Sequence, residues 1–431
     1  MSVERTSRVS GATGFGGLLS AQFLGAFNDN VFKMIVSIVA VDAGLGGPQS
    51  AVYLALAGIL FAAPYFLCSG YAGYLADALN TRRVIVAAKA AEIPVMFAAA
   101  LALLHGGVAP LVGALFLVAV QATFFGPAKY AILPELFPPH RLARANGALE
   151  MARYFAVIAG SAAGSILSEF ASARSALIGG GLVAIAAAGT LAAMRIRPVP
   201  DPATTRSFRI NPWAELADGM RRIWREQALR PLVAGLTLFE FFGTWTVFVV
   251  LLFGKAEMGL GDAGTGLLAA LAGIGVGIGS LTVGYVAGAR IGLRSVLPAV
   301  ATMGCALTTL AAVRDSYLLA ASLVTLLGAA AGWVLVLFNA ALQLNAARGE
   351  KGRVIAANNV LNMAGVTAAS LALWALGGGL GISATWLLRG SGVVLLAAVV
   401  AVIAARRQLG AKERRPLRPS AAEPDGACGT P

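Results

Sequence analysis

Long apolar segments recur along the chain from Phe15 to Ala405, separated by short polar joints that contain glycine or proline. An α-helix of about 20 residues crosses the hydrocarbon core of a bilayer, whereas a barrel strand needs only about 10. The segment lengths therefore predict an all-α integral membrane protein with about twelve transmembrane helices. We place the helices near residues 15–41, 50–76, 83–104, 109–134, 144–168, 174–194, 231–253, 264–288, 295–313, 316–345, 354–379 and 383–405.

The composition supports a membrane protein and argues against an enzyme. The 431 residues are 58% hydrophobic and 12% charged, and the mean hydropathy is +0.78. Soluble domains contain about 25% charged residues, so an ordinary soluble protein is excluded. The three cysteines have no metal-ligand spacing, and both histidines lie in predicted loops. No Gly-x-Ser-x-Gly motif or phosphate-binding loop occurs, so we predict neither catalysis nor a bound metal or cofactor.

The net charge of +13 is concentrated at one set of joints. Basic residues crowd Arg82-Arg83, the segments 195–230 and 348–353, and the tail 406–418. The positive-inside rule then predicts that both termini are cytoplasmic, which an even number of spans requires. The charge thus reflects membrane topology and not a nucleic-acid partner. The alternate joints carry little beyond Arg174, Lys255 and Arg314.

The composition changes between residues 195 and 230. Asn211-Pro212 pairs an N-cap residue with a helix-starting proline. In the next turns, apolar side chains share one face and charged ones lie mostly opposite, which predicts an amphipathic helix at the membrane surface. We therefore predict four segments: a six-helix bundle in 1–194, a cytoplasmic linker in 195–230, a second six-helix bundle in 231–405, and a basic, disordered cytoplasmic tail in 406–431.

The two predicted bundles share a weak internal repeat. The octapeptide 145–152 aligns with 357–364 at five of eight positions, and the same offset of 212 residues pairs Asn28 with Glu240. Together with the central linker, this similarity indicates parallel repeats related by an axis along the membrane normal.

The first predicted helix contains a polar cluster at Asn28, Asp29, Asn30 and Lys33. A charge near the bilayer centre costs about 2.5–3.5 kcal/mol on insertion scales, so such residues usually face a bundle interior or a water-filled cavity. We therefore predict that this cluster lines a transport pathway. Further pathway candidates in other predicted helices are Gln121, Lys129, Glu150 and Glu240.

A second group of charged residues is assigned to gating. Asp77, at the end of the second helix, can accept hydrogen bonds from a neighbouring helix N-terminus or pair with an arginine. The alternative is a basic loop that only sets topology. The pairs Lys89–Glu92 and Glu150–Arg153 have i,i+3 spacing and are either structural ion pairs or pairs that move with a gate. The predicted gating set is Asp77, Arg82, Arg83, Lys89, Glu92 and Arg153.

Four glycines alternate along the eighth predicted helix, at positions 273, 275, 277 and 279. Such a series can be mistaken for a nucleotide-binding loop. No strand precedes it and the surroundings are apolar, so close helix packing is the better interpretation.

The stretch 73–83 reads Gly-Tyr-Leu-Ala-Asp-Ala-Leu-Asn-Thr-Arg-Arg. It resembles the loop between the second and third helices of the major facilitator superfamily, although Ala78 and Asn80 replace the usual basic residue and second glycine. With the parallel repeats and the central linker, this resemblance implies the major facilitator fold, with about twelve transmembrane helices in two six-helix bundles.

Three stretches of the first half, 23–30, 126–134 and 145–150, resemble bacterial lysophospholipid transporters, especially those fused to acyltransferase and acyl-carrier-protein ligase domains. The second half resembles that family only in layout, and Glu240 departs from its pattern. The resemblance implies inward flipping of lysophosphatidylethanolamine or a related lysolipid across the bacterial inner membrane, with a separate acyltransferase or acyl-ACP ligase as partner. The positions it matches are Asn28, Asp29, Asn30, Lys33, Lys89, Lys129 and Glu150.

A zwitterionic lysolipid needs an anionic partner for its ammonium group and a cationic partner for its phosphate. Asp29 or Glu240 suits the first role, and Lys129 or Lys33 suits the second. Two alternatives stay open. One is a proton-coupled exporter of drugs or metabolites with a titrating carboxylate, and the other is a non-transporting membrane scaffold for lipid-synthesis enzymes. Buried charges argue against the scaffold, which has no need for them.

Overall fold

The structure is a computed structural model that describes residues 2–43, 48–171, 173–202, 211–286, 293–347 and 349–413. These residues form helices joined by short loops, with no strand among them. The α-helices are α1 (Ser2–Ala43), α2 (Pro48–Ala78), α3 (Thr81–His105), α4 (Val108–Ala131), α5 (Leu133–Leu136), α6 (Leu142–Ser168), α7 (Ser175–Met194), α8 (Pro212–Arg225), α9 (Leu229–Ala256), α10 (Asp262–Val286), α11 (Leu293–Leu310), α12 (Tyr317–Asn345), α13 (Lys351–Leu373) and α14 (Ala384–Glu413). A 3-10 turn (Pro139–Arg141) precedes α6, and a π-helical segment (Trp374–Gly379) follows α13.

The twelve predicted spans fall on the long helices, that is, on every helix except α5 and α8. Within the described ranges, nine of the helices are long and apolar enough to cross a membrane. Two ends differ from the prediction. Helix α1 begins at Ser2, before the predicted start near residue 15, and α14 continues to Glu413. Helix α14 thus covers the start of the segment 406–431, where alanine, arginine and glutamine are good helix formers, and the disorder of the tail stays a prediction. The rest of that segment lies outside the described residues.

Local signals explain several helix starts. The Asn211 side chain accepts a hydrogen bond from the Trp213 backbone N–H at 3.0 Å, which confirms the predicted N-cap of α8. The Asn80 side chain caps α3 in the same way, and Ser316 caps α12. Each cap satisfies a backbone N–H that has no partner inside its helix.

The apolar core forms three clusters of buried side chains. Two of them are built almost wholly from residues of the first half, between Leu18 and Val199. The third is built mainly from the second half, between Ile223 and Leu395. The clusters are consistent with two packed halves, and the four-segment division of the chain stays a prediction.

Glycines let α10 pack closely against two neighbours, which confirms the packing interpretation. Gly275 and Gly279 face backbone carbonyls of α12, and a Cβ on either would collide with them. Gly273 and Gly277 face the other way, toward side chains of α6 in the first half. Small residues at this spacing allow two helix backbones to approach closely.

The halves meet at one end of the molecule, which we call the closed end. It is formed by the last turns of α2, α10 and α12 and the first turns of α6 and α13. Gly147 of α6 lies against the Ser280 carbonyl of α10. The buried side-chain amides of Asn146 and Gln343 exchange two hydrogen bonds, at 2.9 and 2.8 Å. These direct contacts hold the two halves together at the closed end.

Asp77 closes the α2–α13 side of the same end. Its carboxylate accepts hydrogen bonds from the backbone N–H groups of Gly352, at 2.6 Å, and Arg353, at 3.1 Å. The Arg353 side chain also donates to it at 3.4 Å. A carboxylate at a helix N-terminus satisfies free N–H groups and interacts favourably with the helix dipole, so Asp77 joins α2 to the start of α13.

Candidate substrate cavity

A cavity of about 300 Å³ lies between the halves, further from the closed end than the contacts just described. Helices from both halves supply its wall, and the wall is polar at many points. In a bundle that is otherwise apolar, convergent polar groups around a cavity define a candidate binding site. The polar side chains lining it are Gln22, Asp29, Asn30, Tyr65, Lys89, Gln121, Lys129, Tyr130, Arg153, Glu240, Asn339, Asn358, Asn359 and Asn362.

Two carboxylates reach the cavity from corresponding helices of the two halves. Asp29 lies on α1, and its Oδ1 is buried without a hydrogen-bond partner. Glu240 lies on α9 and is partly buried. A buried acceptor without a donor is costly to maintain, so Asp29 is ready to accept from a bound group.

Two cations besides Lys89 face the same cavity. The Lys129 Nζ donates to the Gln22 side-chain oxygen at 2.9 Å and lies 5.7 Å from the centre of the Phe125 ring. Arg153 donates from Nε to a Glu150 oxygen at 2.9 Å. Both cations are held by partners on the protein side and still line the cavity, so each can receive an anionic group from within it.

Glu150 lies behind the cavity wall. It is fully buried, it pairs with Arg153, and it accepts a short hydrogen bond from the Tyr130 hydroxyl. The Arg153 side chain, in contrast, is 31% exposed. Glu150 therefore positions Tyr130 and Arg153 for the cavity but does not line it.

The pair Lys89–Glu92 is an ion pair inside the first half, with both side chains 1% exposed. Asn28 donates to Glu92 at 3.4 Å and to the Leu182 carbonyl at 3.0 Å. The Gln121 side chain donates to the Ala88 carbonyl at 2.8 Å. This network joins four helices, and the buried Lys89 charge at the cavity wall is matched by Glu92.

The structure places the predicted pathway residues in two groups. Asp29, Asn30, Gln121, Lys129 and Glu240 line the cavity. The predicted pathway residues that do not line it are Asn28 and Glu150, which are fully buried, and Lys33, which is exposed one turn beyond Asp29.

The predicted gating residues also separate. Asp77 lies at the closed end, whereas Lys89 and Arg153 line the cavity and Glu92 is buried behind it. Arg82 donates to the Met194 and Ile196 carbonyls at 2.8 and 2.7 Å. It thereby caps the end of α7 within the first half and does not reach the second. The Arg83 side chain is exposed.

Sequence reasoning missed several cavity residues. Gln22 precedes Asp29 by seven residues, two helical turns, so the two share a face of α1, and this spacing is a usable signal. Tyr65 has no such signal. Three asparagines of α13 line the cavity at i, i+1 and i+4, and Asn358 and Asn362 each have a buried oxygen without a hydrogen-bond partner. The spacing of these three asparagines on one face of α13 is the sequence signal that could have predicted them as cavity residues.

The helical bundle and its central polar cavity define a multi-pass membrane transporter. The family model described as Major Facilitator Superfamily matches residues 18–370, and the chain belongs to that superfamily. The predicted major facilitator fold is thereby confirmed.

Relatives and solved structures agree with this class. The chain is 29% identical over 331 residues to the lysophospholipid transporter LplT of Yersinia pestis (strain Pestoides F), which covers 76% of this chain and 77% of the relative. The LplT of Yersinia pseudotuberculosis serotype O:3 (strain YPIII) gives the same figures. The fold is similar to the E. coli fucose:proton symporter FucP, with a TM-score of 0.71, 17% identity and coverage of 91% and 98%. It is also similar to the human organic anion transporter MFSD10, with a TM-score of 0.70, 16% identity and coverage of 89% and 98%.

Proposed function

We propose that the chain moves a lysophospholipid, with a headgroup like that of lysophosphatidylethanolamine, across the bacterial inner membrane toward the cytoplasm by alternating access. The observation that carries the proposal is the convergence of two carboxylates and three cations on one cavity. The charge of one cation, Lys89, is matched by Glu92, and the remaining groups suit a zwitterion. The sequence similarity to LplT supports the lysolipid as substrate class.

Each charged group has a proposed role. Asp29 and Glu240 bind the ammonium group, and Lys129 and Arg153 bind the phosphate. Arg153 takes the place we expected for Lys33, since it lines the cavity and Lys33 does not. A cavity of about 300 Å³ suits a headgroup, so the acyl chain remains in apolar surroundings between helices or in the bilayer.

The proposed direction agrees with the predicted topology. By the positive-inside rule we infer that both termini and the closed end are on the cytoplasmic side. A lysolipid then enters the cavity from the outer side and leaves after the closed end opens. On the cytoplasmic side, a separate acyltransferase or acyl-ACP ligase would re-acylate it.

A second candidate is a proton-coupled exporter of soluble drugs or metabolites. The unpartnered Oδ1 of Asp29 favours it, because a buried carboxylate oxygen without a hydrogen-bond partner can bind and release a proton. This candidate predicts transport that depends on a pH gradient and does not respond to lysolipid.

Uptake of radiolabelled lysophosphatidylethanolamine into cells that lack their own transporter tests the proposal. We expect uptake with the wild-type chain and at least a tenfold loss with Asp29→Asn, which keeps the shape and removes the charge. Asp315→Asn, in the exposed loop before α12, is the matched control and retains uptake.

Membrane insertion of each variant is checked by quantitative blotting. No uptake by a well-inserted wild-type chain overturns the lysolipid proposal and favours the exporter. Uptake that survives Asp29→Asn leaves the substrate class standing and removes Asp29 from its role.

A further inference from the structure

Helix α8, in the linker between the halves, has two distinct faces. One face packs on the closed end, and the other is exposed and combines tryptophan with arginine. The proposed function uses neither face of α8.

The inner face of α8 contacts both halves. Gly70 of α2 lies directly beneath the Pro212 carbonyl, so closely that a Cβ would collide with it. Gly219 packs on α13, where a Cβ would lie 2.8 Å from the Arg353 carbonyl oxygen. Ile223 is buried. Helix α8 therefore covers the junction of α2 and α13, the place where Asp77 joins the halves.

Charged side chains continue this junction. Arg222 of α8 and Glu350, just before α13, form an ion pair with 2.8 Å between Nε and Oε2, without hydrogen-bond alignment. Glu350 also pairs with Arg353 at 3.3 Å, and Arg353 pairs with Asp77 at 3.4 Å. A connected series of charges thus runs from α8 through α13 to α2.

The outer face is an apolar stripe with tryptophan at both ends. Trp213 is 52% exposed and Trp224 is 66% exposed. Leu216, Ala217 and Met220 form a shallow groove between them. Exposed tryptophan at the ends of an apolar stripe is typical of a helix that lies in the membrane interface.

Arginines flank the stripe. Arg221 and Arg225 are exposed beside it, and Arg230 donates to the Trp224 carbonyl at 2.6 Å. Asp218 offsets the charge of Arg221, since the two are 2.7 Å apart, and Glu226 pairs with Arg222 instead. The outer face of α8 therefore combines an apolar stripe with a net positive charge. This combination matches the surface of a bilayer, where anionic headgroups lie above the apolar acyl chains.

We propose that the outer face of α8 binds the anionic phospholipid surface of the membrane, and that this contact stabilises the closed end through the junction of α8, α2 and α13. Lipid that holds α8 in place keeps Arg222 beside Glu350 and keeps Gly219 against α13. When α8 lifts from the surface, the junction loses its cover and the halves separate more readily.

The test measures the closed end directly in lipid nanodiscs. Spin labels are placed at Leu79→Cys, after α2, and Asn345→Cys, at the end of α12, in a chain whose native cysteines are replaced by alanine. Both sites are exposed and belong to different halves. Pulsed electron-electron double resonance then reports the populations of short and long distances in phosphatidylethanolamine discs with and without phosphatidylglycerol.

We expect phosphatidylglycerol to raise the ratio of short to long distances by about fivefold for each arginine that reaches the anionic surface. Arg225→Gln with Trp224→Gln weakens this response by at least about fivefold, because it removes one of those arginines and one end of the apolar stripe. Arg222→Gln lowers the ratio in both lipids. The matched controls, Arg174→Gln and Trp386→Gln, exchange exposed residues outside α8 and leave the response intact.

The wild-type comparison alone can overturn the proposal. If the distance populations are the same with and without anionic lipid, or if the α8 variants respond as the controls do, α8 does not act through the lipid surface. In that case the outer face is free for a protein partner, and the lipid contact is rejected.

Discussion

At the scale of single residues, the cavity depends on side chains that hold its charges from behind. Glu150 is buried but fixes both Arg153 and Tyr130, and Gln22 fixes Lys129. An ionised group bound on one side only is held in a fixed geometry while its other side stays available to a ligand. The residues that position the charges are therefore as important as those that line the cavity.

Arg153→Gln is expected to lower lysolipid uptake by about 10- to 150-fold, because a hydrogen bond to a charged group contributes roughly 1.5–3 kcal/mol. Uptake into cells, corrected for the amount of inserted protein, measures the effect. The control Arg174→Gln removes an arginine that lies over the Phe170 ring, outside the cavity, and keeps wild-type uptake. Equal losses in both variants would show that the cavity arginine has no special role.

The buried amide pair at the closed end gives a second prediction. Asn146→Leu or Gln343→Leu alone leaves the other buried amide without its hydrogen-bond partner. Each single substitution is expected to lower the free energy of unfolding by about 1–3 kcal/mol. The double substitution removes both amides and restores part of the loss. Thermal unfolding in detergent measures all four proteins. A double variant whose loss equals the sum of the single losses would mean that the two amides do not stabilise one another.

For single residues, the sequence identified the polar and charged positions but not the side of the helix on which each side chain lies. Neighbouring residues on a helix point about 100° apart, so Asp29 faces the cavity while Asn28 faces Glu92 inside the bundle. The i,i+3 pairs were predictable because both partners lie on one helix. The presence of Arg153 and Glu240 in one cavity was not predictable, because it depends on how the two halves pack.

At the scale of helices, α10 shows how glycine positions decide which neighbours approach. Gly279→Ala is expected to destabilise the protein by about 1–3 kcal/mol, because the added methyl group meets the Ala329 backbone of α12. Gly266→Ala in the same helix has open space around its Cβ and should be neutral or stabilising, by up to about 1 kcal/mol, through helix propensity.

Thermal unfolding of the two variants in the same detergent compares them directly. If both alanine variants lose the same stability, the loss reflects α10 in general and not its contact with α12.

The twelve apolar spans were predictable because a bilayer fixes the length of a crossing helix. The ends of α1 and α14 were not, because polar and basic residues continue a helix without any apolar signal.

At the scale of the whole molecule, closure depends on one carboxylate that crosses between halves. Asp77→Asn keeps the side-chain shape but replaces one acceptor oxygen with an amide donor, which cannot accept from the start of α13. We expect the ratio of short to long distances between the Leu79 and Asn345 labels to fall by about 5- to 150-fold, as for the loss of a buried hydrogen-bond partner worth about 1–3 kcal/mol.

Asp201→Asn is the control, since Asp201 lies in the linker, accepts a hydrogen bond from Asn80 of the first half and does not contact the second half. Unchanged distances in Asp77→Asn would mean that the other contacts stabilise the closed end.

The sequence indicated Asp77 through its motif, but its partner Gly352 lies 275 positions away in the chain. The pattern of apolar and polar residues predicts each helix, but it does not specify which distant helix start Asp77 contacts.

The glycine faces of α10 have a further consequence for movement. Gly275 and Gly279 fix α10 to α12 inside one half, whereas Gly273 and Gly277 present a smooth surface to Phe155 and Ile158 of the other half. Interdigitated side chains must disengage before two helices slide, and each loses its packing while it does so. Gly273 and Gly277 have no side chains that must withdraw from between those of α6. The energy barrier for sliding of the two halves is therefore low at this contact, while α10 stays fixed to α12 within its own half.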